Sequence, residues 1–142
     1  MRTLKDVKLI KLKTHVEPDG KLVPIEFNKD IPFKVRRIFY VYGVHNQIDR
    51  GQHSHYSTKQ VLVCLNGEVE VMCDDGHKRK TWVLNNPSDA LYIPELIWDE
   101  QVYKSNDTVL LVLASTTYNS GDYIEDYERF KRIKEDIGEL IK

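Results

Sequence analysis

The chain has 142 residues, 41% hydrophobic and 30% charged, and its 21 lysines and arginines against 22 acids leave a net charge of -1. That balance belongs to a folded chain of about one domain and excludes a disordered or low-complexity protein. It also excludes nucleic-acid binding by bulk charge and attachment to an anionic membrane, and no apolar run approaches the roughly 20 residues that a membrane-spanning helix needs.

In chain order, residues 7–13 have β-type composition, Pro18-Asp19-Gly20 marks a turn, and residues 21–27 resume extended character. Residues 34–42 (KVRRIFYVY) and 59–65 (KQVLVCL) are rich in β-branched and aromatic residues. Asn66-Gly67 is the strongest short hairpin signal in the chain, and residues 68–73 alternate charged and apolar side chains before Asp74-Asp75-Gly76 turns again. Residues 80–84, 90–93, 97–103 and 108–114 complete the set of strand candidates. Strands at this spacing predict a β-sandwich or small barrel. After Ser120-Gly121-Asp122 the period changes: Ile124, Tyr127, Phe130, Ile133, Ile137 and Leu140 recur at threes and fours, which predicts an amphipathic helix over about 122–141 capped by Ser120 or Asp122. No repeat or linker divides the chain, so a single domain over 1–142 is expected, with the barrel over about 7–115.

Two cysteines flank the Asn66-Gly67 turn. A two-residue hairpin there sets Cys64 opposite Val69 and Cys73 opposite Gln60, too far apart for a disulfide, so both read as free thiols in a reducing compartment. The first six residues place charges where a secretory signal carries its apolar stretch, and a cytoplasmic protein is expected. Strand alternation gives a second expectation. If Gln60 faces a pocket, Leu62 and Cys64 face it too, while Val61, Val63 and Leu65 form an outward apolar row that needs a cover, from a second sheet, the C-terminal helix or another subunit.

The chemistry concentrates in Arg50-Gly51-Gln52-His53-Ser54-His55, where two histidines at i and i+2 of an extended segment share a face. Four residues separate His55 from Gln60, and six separate Gln60 from Gly67. This matches the spacing of the first cupin motif, H-x-H-x4-E-x6-G, with glutamine in place of the glutamate. Residues 88–99 (SDALYIPELIWD) follow the outline of the second motif, with Asp99 at its final histidine position and Ser88 and Leu96 in place of glycines. Together the two motifs resemble a cupin jelly-roll β-barrel, a mostly β fold, here followed by a C-terminal α-helix. Two imidazoles and the Asp99 carboxylate compose a facial triad on paper, but a glutamine carbonyl is a weak transition-metal ligand, and the balance favours a metal-free site. Histidine titrates near neutrality and serves as general acid or base.

Within the cupins, residues 37–42 (RIFYVY), the Arg50-Gly51-x-His53-x-His55 segment and residues 60–67 (QVLVCLNG) are similar to the WxcM-like sugar 3,4-ketoisomerases. Ile31-Pro32-Phe33, residues 112–115 (VLAS) and Asp122-Tyr123-Ile124 match as well, so the resemblance runs from about Gly20 to Phe130. The departures are Asp19 and Lys21, where arginine and serine are expected, and Asp99, where histidine is common. The resemblance implies a dimeric enzyme without metal or organic cofactor that moves the carbonyl of dTDP-4-keto-6-deoxy-glucose from C4 to C3, in deoxyaminosugar synthesis. It implies His53 and His55 as the acid–base pair, with His53 favoured for the carbon proton. Tyr40 is expected to serve the sugar oxygens and Arg50 or Arg37 the diphosphate, while Gln60, Asp99 and Trp98 are further candidates for substrate contact. A homodimer, with exchanged strands as one option, is the expected assembly. A metal-dependent cupin oxygenase using His53, His55 and Asp99 and a non-catalytic sugar-binding cupin are the rival readings, with a nucleotide-sugar epimerase as a related one.

Overall fold

The computed structural model describes residues 1–45 and 49–141. Its strands are β1 (Lys8–Lys11), β2 (His15–Glu17), β3 (Gly20–Leu22), β4 (Arg37–Val41), β5 (Asp49–His55), β6 (Gln60–Asn66), β7 (Val69–Asp74), β8 (Arg79–Leu84), β9 (Asp89–Ile93), β10 (Trp98–Tyr103), β11 (Val109–Ala114) and β12 (Tyr123–Ile124). A single α-helix, α1 (Tyr127–Leu140), closes the chain. The strands form two five-stranded antiparallel sheets, in the orders β1-β9-β6-β11-β4 and β12-β5-β10-β7-β8, with β2-β3 as a separate hairpin. This is a jelly-roll sandwich, mostly β with a C-terminal helix, in which the two sheets remain separate rather than joining into one hydrogen-bonded cylinder.

Strand alternation sorts the apolar residues into three layers. Leu62, Cys64, Val69, Val71, Cys73, Leu84 and Leu110 fill the space between the sheets. Val61, Val63, Ala90 and Leu113 point to the other side of the first sheet, where Leu12 and Ile31 pack on them with Ile10, Val23, Ile25, Phe33 and Val35. The expected outward row is thus covered by the chain's own N-terminal segment, with Val61 and Val63 fully buried and Leu65 left exposed. Behind the second sheet, Trp98, Ile124 and Phe130 form the third cluster, beneath α1. Each large apolar side chain buried in these layers contributes roughly 1.5–3 kcal/mol relative to exposure.

The structure corrects two expectations. The Asn66-Gly67 turn does not close a hairpin: β6 pairs with β9 and β11, whereas β7 pairs with β8 and β10, so the turn carries the chain from one sheet to the other. The turn chemistry is real, since Gly67 has φ +79° and a Cβ there would overlap Thr108. What a local signal cannot specify is the partner, because both edges of β6 are occupied by strands distant in sequence. Cys73 therefore lies opposite Asp99 and Lys80 rather than Gln60, and both cysteines are buried free thiols. The helix also begins later than its apolar period implies. Ser120–Asp122 is a 3-10 turn, Tyr123 and Ile124 pair with His55 and Ser54 of β5, and α1 starts at Tyr127. Asp126 caps it, accepting from the Glu128 and Arg129 amides at 2.9 and 3.4 Å. Among the described residues no helix is long and apolar enough to cross a membrane.

Candidate active site

Strand β5 carries Arg50, His53 and His55, and its pairing with β10 decides where they point. Asp99 lies opposite His53 and Gln101 opposite Arg50, so three residue steps on β5 face two on β10. The extra residue is a β-bulge at Gly51-Gln52, where φ is +88° and +29°. In an unbroken strand residues 50 and 53 would face opposite ways; the bulge resets the alternation and puts Arg50 on the histidine face. Gly51 meets two demands there, because its left-handed backbone disfavours a side chain and a Cβ would sit 2.8 Å from Asp99 Oδ1.

A cavity of about 90 Å³ opens beside the bulge, lined by Phe39, Arg50, His53, Gln60 and Gln101. The His53 and His55 ring centroids are 4.7 Å apart at 90°, and the Tyr123 ring packs on both, at 5.2 and 4.6 Å. His53 Nδ1 hydrogen-bonds the Gly51 carbonyl. A carbonyl only accepts, so Nδ1 is the donor of this bond. His55 is 4% exposed, and its Nε2 is buried without a hydrogen-bond partner. Burial above all, then the charges of His53 and Arg37 against the opposing pull of Asp122, push the His55 imidazole down to about 3. It is therefore neutral at physiological pH.

The surroundings of the pair are polar and ordered. Burial works to raise the Asp122 carboxyl, yet hydrogen bonds from Thr58 and Ser57 hold it below the usual carboxylate range. Asp122 accepts from the Ser57 and Thr58 amides at 3.0 Å each, and from both hydroxyls. Asp99 is 1% exposed; burial pushes its carboxyl up against the lowering influence of His53 and of Gln101, whose Nε2 donates to Asp99 Oδ1 at 3.2 Å. Tyr103 donates to Gln101 Oε1 at 3.0 Å, which completes a buried line along the inner face of β10. The Arg37 guanidinium lies over the Phe39 and Tyr118 rings at 5.2 and 5.7 Å, with Nε buried and unpaired.

Of the residues singled out from the sequence, His53, His55, Arg50, Arg37, Gln60 and Asp99 converge on this region. Tyr40 does not: β4 alternates, Phe39 takes the cavity-facing position, and Tyr40 is 64% exposed and stacks on Tyr42. Trp98 is also turned away. It packs beneath α1 against Tyr127 and Phe130, with Nε1 donating to Glu100 at 3.0 Å. Two participants escaped sequence reasoning. Gln101 was accessible from the two-residue period, standing two places from Asp99 on the same face. Tyr123 lay in the matched Asp122-Tyr123-Ile124 segment but was given no role, because it reaches the histidines only through the pairing of β12 with β5. Among the described residues no group of three or more His, Cys, Asp or Glu side chains is arranged to hold a metal ion. A larger depression of about 550 Å³, lined by Phe27, Asn28, Ile31, Phe33, Lys34 and Val35, lacks a histidine or carboxylate and offers no acid–base pair.

Comparison with known proteins bears on this arrangement. The family described as FdtA, WxcM-like C-terminal, matches residues 5–135. A TDP-4-oxo-6-deoxy-alpha-D-glucose-3,4-oxoisomerase from Aneurinibacillus thermoaerophilus is 41% identical over 125 residues, 88% of this chain and 90% of that protein. The sugar 3,4-ketoisomerase QdtA from Thermoanaerobacterium thermosaccharolyticum, solved in complex with TDP, superposes with a TM-score of 0.90 at 41% identity, covering 94% of this chain and 98% of that one. A histidine-to-asparagine variant of QdtA, solved with TDP-4-keto-6-deoxyglucose, superposes with the same TM-score at 40% identity, covering 94% of this chain and 97% of that one. With a match over nearly its whole length and the paired histidines on the inner face of a jelly roll, the chain belongs to the FdtA, WxcM-like family.

Proposed function

We propose that the protein is a dTDP-sugar 3,4-ketoisomerase, an isomerase that converts dTDP-4-keto-6-deoxy-glucose to the 3-keto sugar for deoxyaminosugar synthesis. The observation that carries this reading is the His53–His55 pair on β5 beside a cavity lined by Arg50, His53, Gln60 and Gln101, with His55 held neutral by burial. The activities of the relatives supply the substrate class.

The reaction breaks the C3–H bond, and its electron pair moves into a C3–C4 double bond as O4 takes a proton. The resulting enediol is then protonated at C4 while O3 loses its hydrogen and becomes the carbonyl, so no oxidant or reductant is consumed. His53 takes the C3 proton through Nε2. His55, neutral and close by, exchanges protons with the sugar oxygens, and its unpaired Nε2 gains the partner it lacks. Each positioned proton transfer contributes typically ~100- to 10,000-fold. Tyr123, packed on both rings, replaces Tyr40 as the nearby phenol. Gln60 and Asp99 contact the sugar. Arg50 and Arg37 hold the diphosphate, as their guanidinium forks suit that group.

The chain acts as a single cytoplasmic cupin domain over residues 1–142 and assembles as a homodimer. Support for the dimer comes from β4, an edge strand on which Ile38 and Tyr40 stand exposed, with Tyr42 just beyond it. Proton NMR of the protein with dTDP-4-keto-6-deoxy-glucose in deuterium oxide tests the activity. Loss of the C3 proton with growth of a 3-keto product is expected, and an unchanged spectrum from folded protein would overturn the assignment.

A further inference from the structure

Lys134 is the buried charge of α1. It is 2% exposed on a helix whose other buried residue is Phe130, one turn before it on the same face. Lysine is almost never fully buried unless it is paired. Here Nζ donates to the carbonyl oxygens of Arg2 at 2.6 Å and Leu96 at 3.0 Å. The stem runs past Gly76, packing beside it, where an added Cβ would lie 3.4 Å from Lys134 Cβ and Cγ.

Leu96 connects this ammonium to the site. It has φ +60°, a left-handed conformation uncommon outside glycine, in the turn between β9 and β10. Its carbonyl accepts from Lys134, and its amide donates to the His55 carbonyl at 2.9 Å. One residue therefore separates the Lys134 ammonium from the backbone of His55. On its other side His55 is paired with Tyr123 of β12, the strand that leads into α1. The same turn is clamped at Glu95, whose carboxylate meets Arg2 Nε at 2.8 Å and Lys59 Nζ at 3.3 Å. Without the ammonium the Leu96 carbonyl loses its side-chain donor, in the turn whose amide hydrogen-bonds the His55 carbonyl.

We propose that Lys134 is a positioning residue for His55: its ammonium holds the Leu96 turn in the left-handed conformation, and the turn holds the histidine in register with His53. The proposal rests on reading His55 as a member of the acid–base pair. It is tested with Lys134→Met, which keeps the length of the side chain and removes the donor. In an assay run well below the unfolding temperature, kcat is expected to fall on the order of tenfold, since small misplacements of a reacting group are costly. KM should stay within about twofold, as substrate binding is not the step disturbed. In NMR spectra of the substrate-free variant, the His55 ring signals should move while those of exposed His15 do not.

A fall in thermal stability with kcat and the His55 signals unchanged would overturn the proposal, leaving Lys134 as a fastener of the helix only. If Lys134→Met does not fold, Lys134→Leu, which also lacks a donor, is read in the same way. Absence of turnover in the unmodified protein would sink the ketoisomerase reading, and the His55 ring signals would then decide the Lys134 link by themselves.

Discussion

The interior of this sandwich has two regions built on different terms. Where β6 and β7 face each other across the sheets, Leu62, Cys64, Val69, Val71 and Cys73 are 0–1% exposed and pack against Leu84 and Leu110. Where β5 faces inward, the lining is Arg50, His53 and Gln60, with a bulge in the strand and a cavity beside it. The buried polar atoms around that second region include His55 Nε2 and Arg37 Nε, neither with a hydrogen-bond partner. A fold whose other layers are closely packed has little reason to tolerate such groups unless something else is to satisfy them. The contrast teaches that the one interior between the sheets joins a closely packed apolar part to a part lined by polar groups, on faces that β6 shares between them.

Four measurements would break or sharpen that contrast. The largest effect is expected from His53→Asn and His55→Asn, each of which should lower turnover of the keto sugar by ~100- to 10,000-fold, equivalent to about 3–5 kcal/mol of barrier, with the protein still folded. Turnover near the unmodified rate in either variant would remove that histidine from the chemistry. Leu62→Ala in the apolar region should act in the opposite sense, costing about 2–5 kcal/mol in denaturant unfolding while kcat per folded molecule holds. A matching loss of kcat would mean that the two regions are not separable.

Gly51→Ala touches both regions' boundary, because the new Cβ meets Asp99 at a positive φ. Strain of that kind costs about 1–3 kcal/mol, and turnover should fall with stability as Arg50 and His53 lose their shared face. An alanine variant as stable and active as the parent would show that the bulge tolerates a side chain. The pH dependence follows from His55. Its folded value near 3 lies below the ordinary 6.5, so between these values the unfolded chain binds a proton that the folded chain does not. Stability from this group is present above pH 6.5 and falls as the pH drops, at up to ~1.4 kcal/mol per pH unit, levelling off below about 3. Urea midpoints from pH 7 to 4 should slope more steeply for the parent than for His55→Gln, and parallel slopes would contradict the burial of a neutral His55.

Most of the strands were legible in the sequence, since β-branched residues alternate with polar ones and Gly, Asn and Asp mark the turns. The histidine pair was legible too, because i and i+2 share a face in any strand. Their phenol was not. Tyr40 sits in the more conspicuous run, but Phe39 holds its inward position, whereas Tyr123 arrives from a two-residue strand almost seventy positions away in the chain. Asp99 and Trp98 show the same limit at adjacent positions. They face opposite sides of β10, and only the packing of the sheets makes one side the site and the other the seat of α1.

The sequence by itself determined the class of fold, the family, the shared face of His53 and His55 and the apolar stripe of the last helix, all properties carried by local spacing or by matched motifs. Tertiary structure decided that Asn66-Gly67 crosses between sheets, that a bulge turns Arg50 toward the histidines, and that Lys134 is buried against two backbone carbonyls. Each of these depends on which distant strand or turn fills the neighbouring hydrogen-bond positions. That choice belongs to the whole chain packing at once, and no window of sequence contains it.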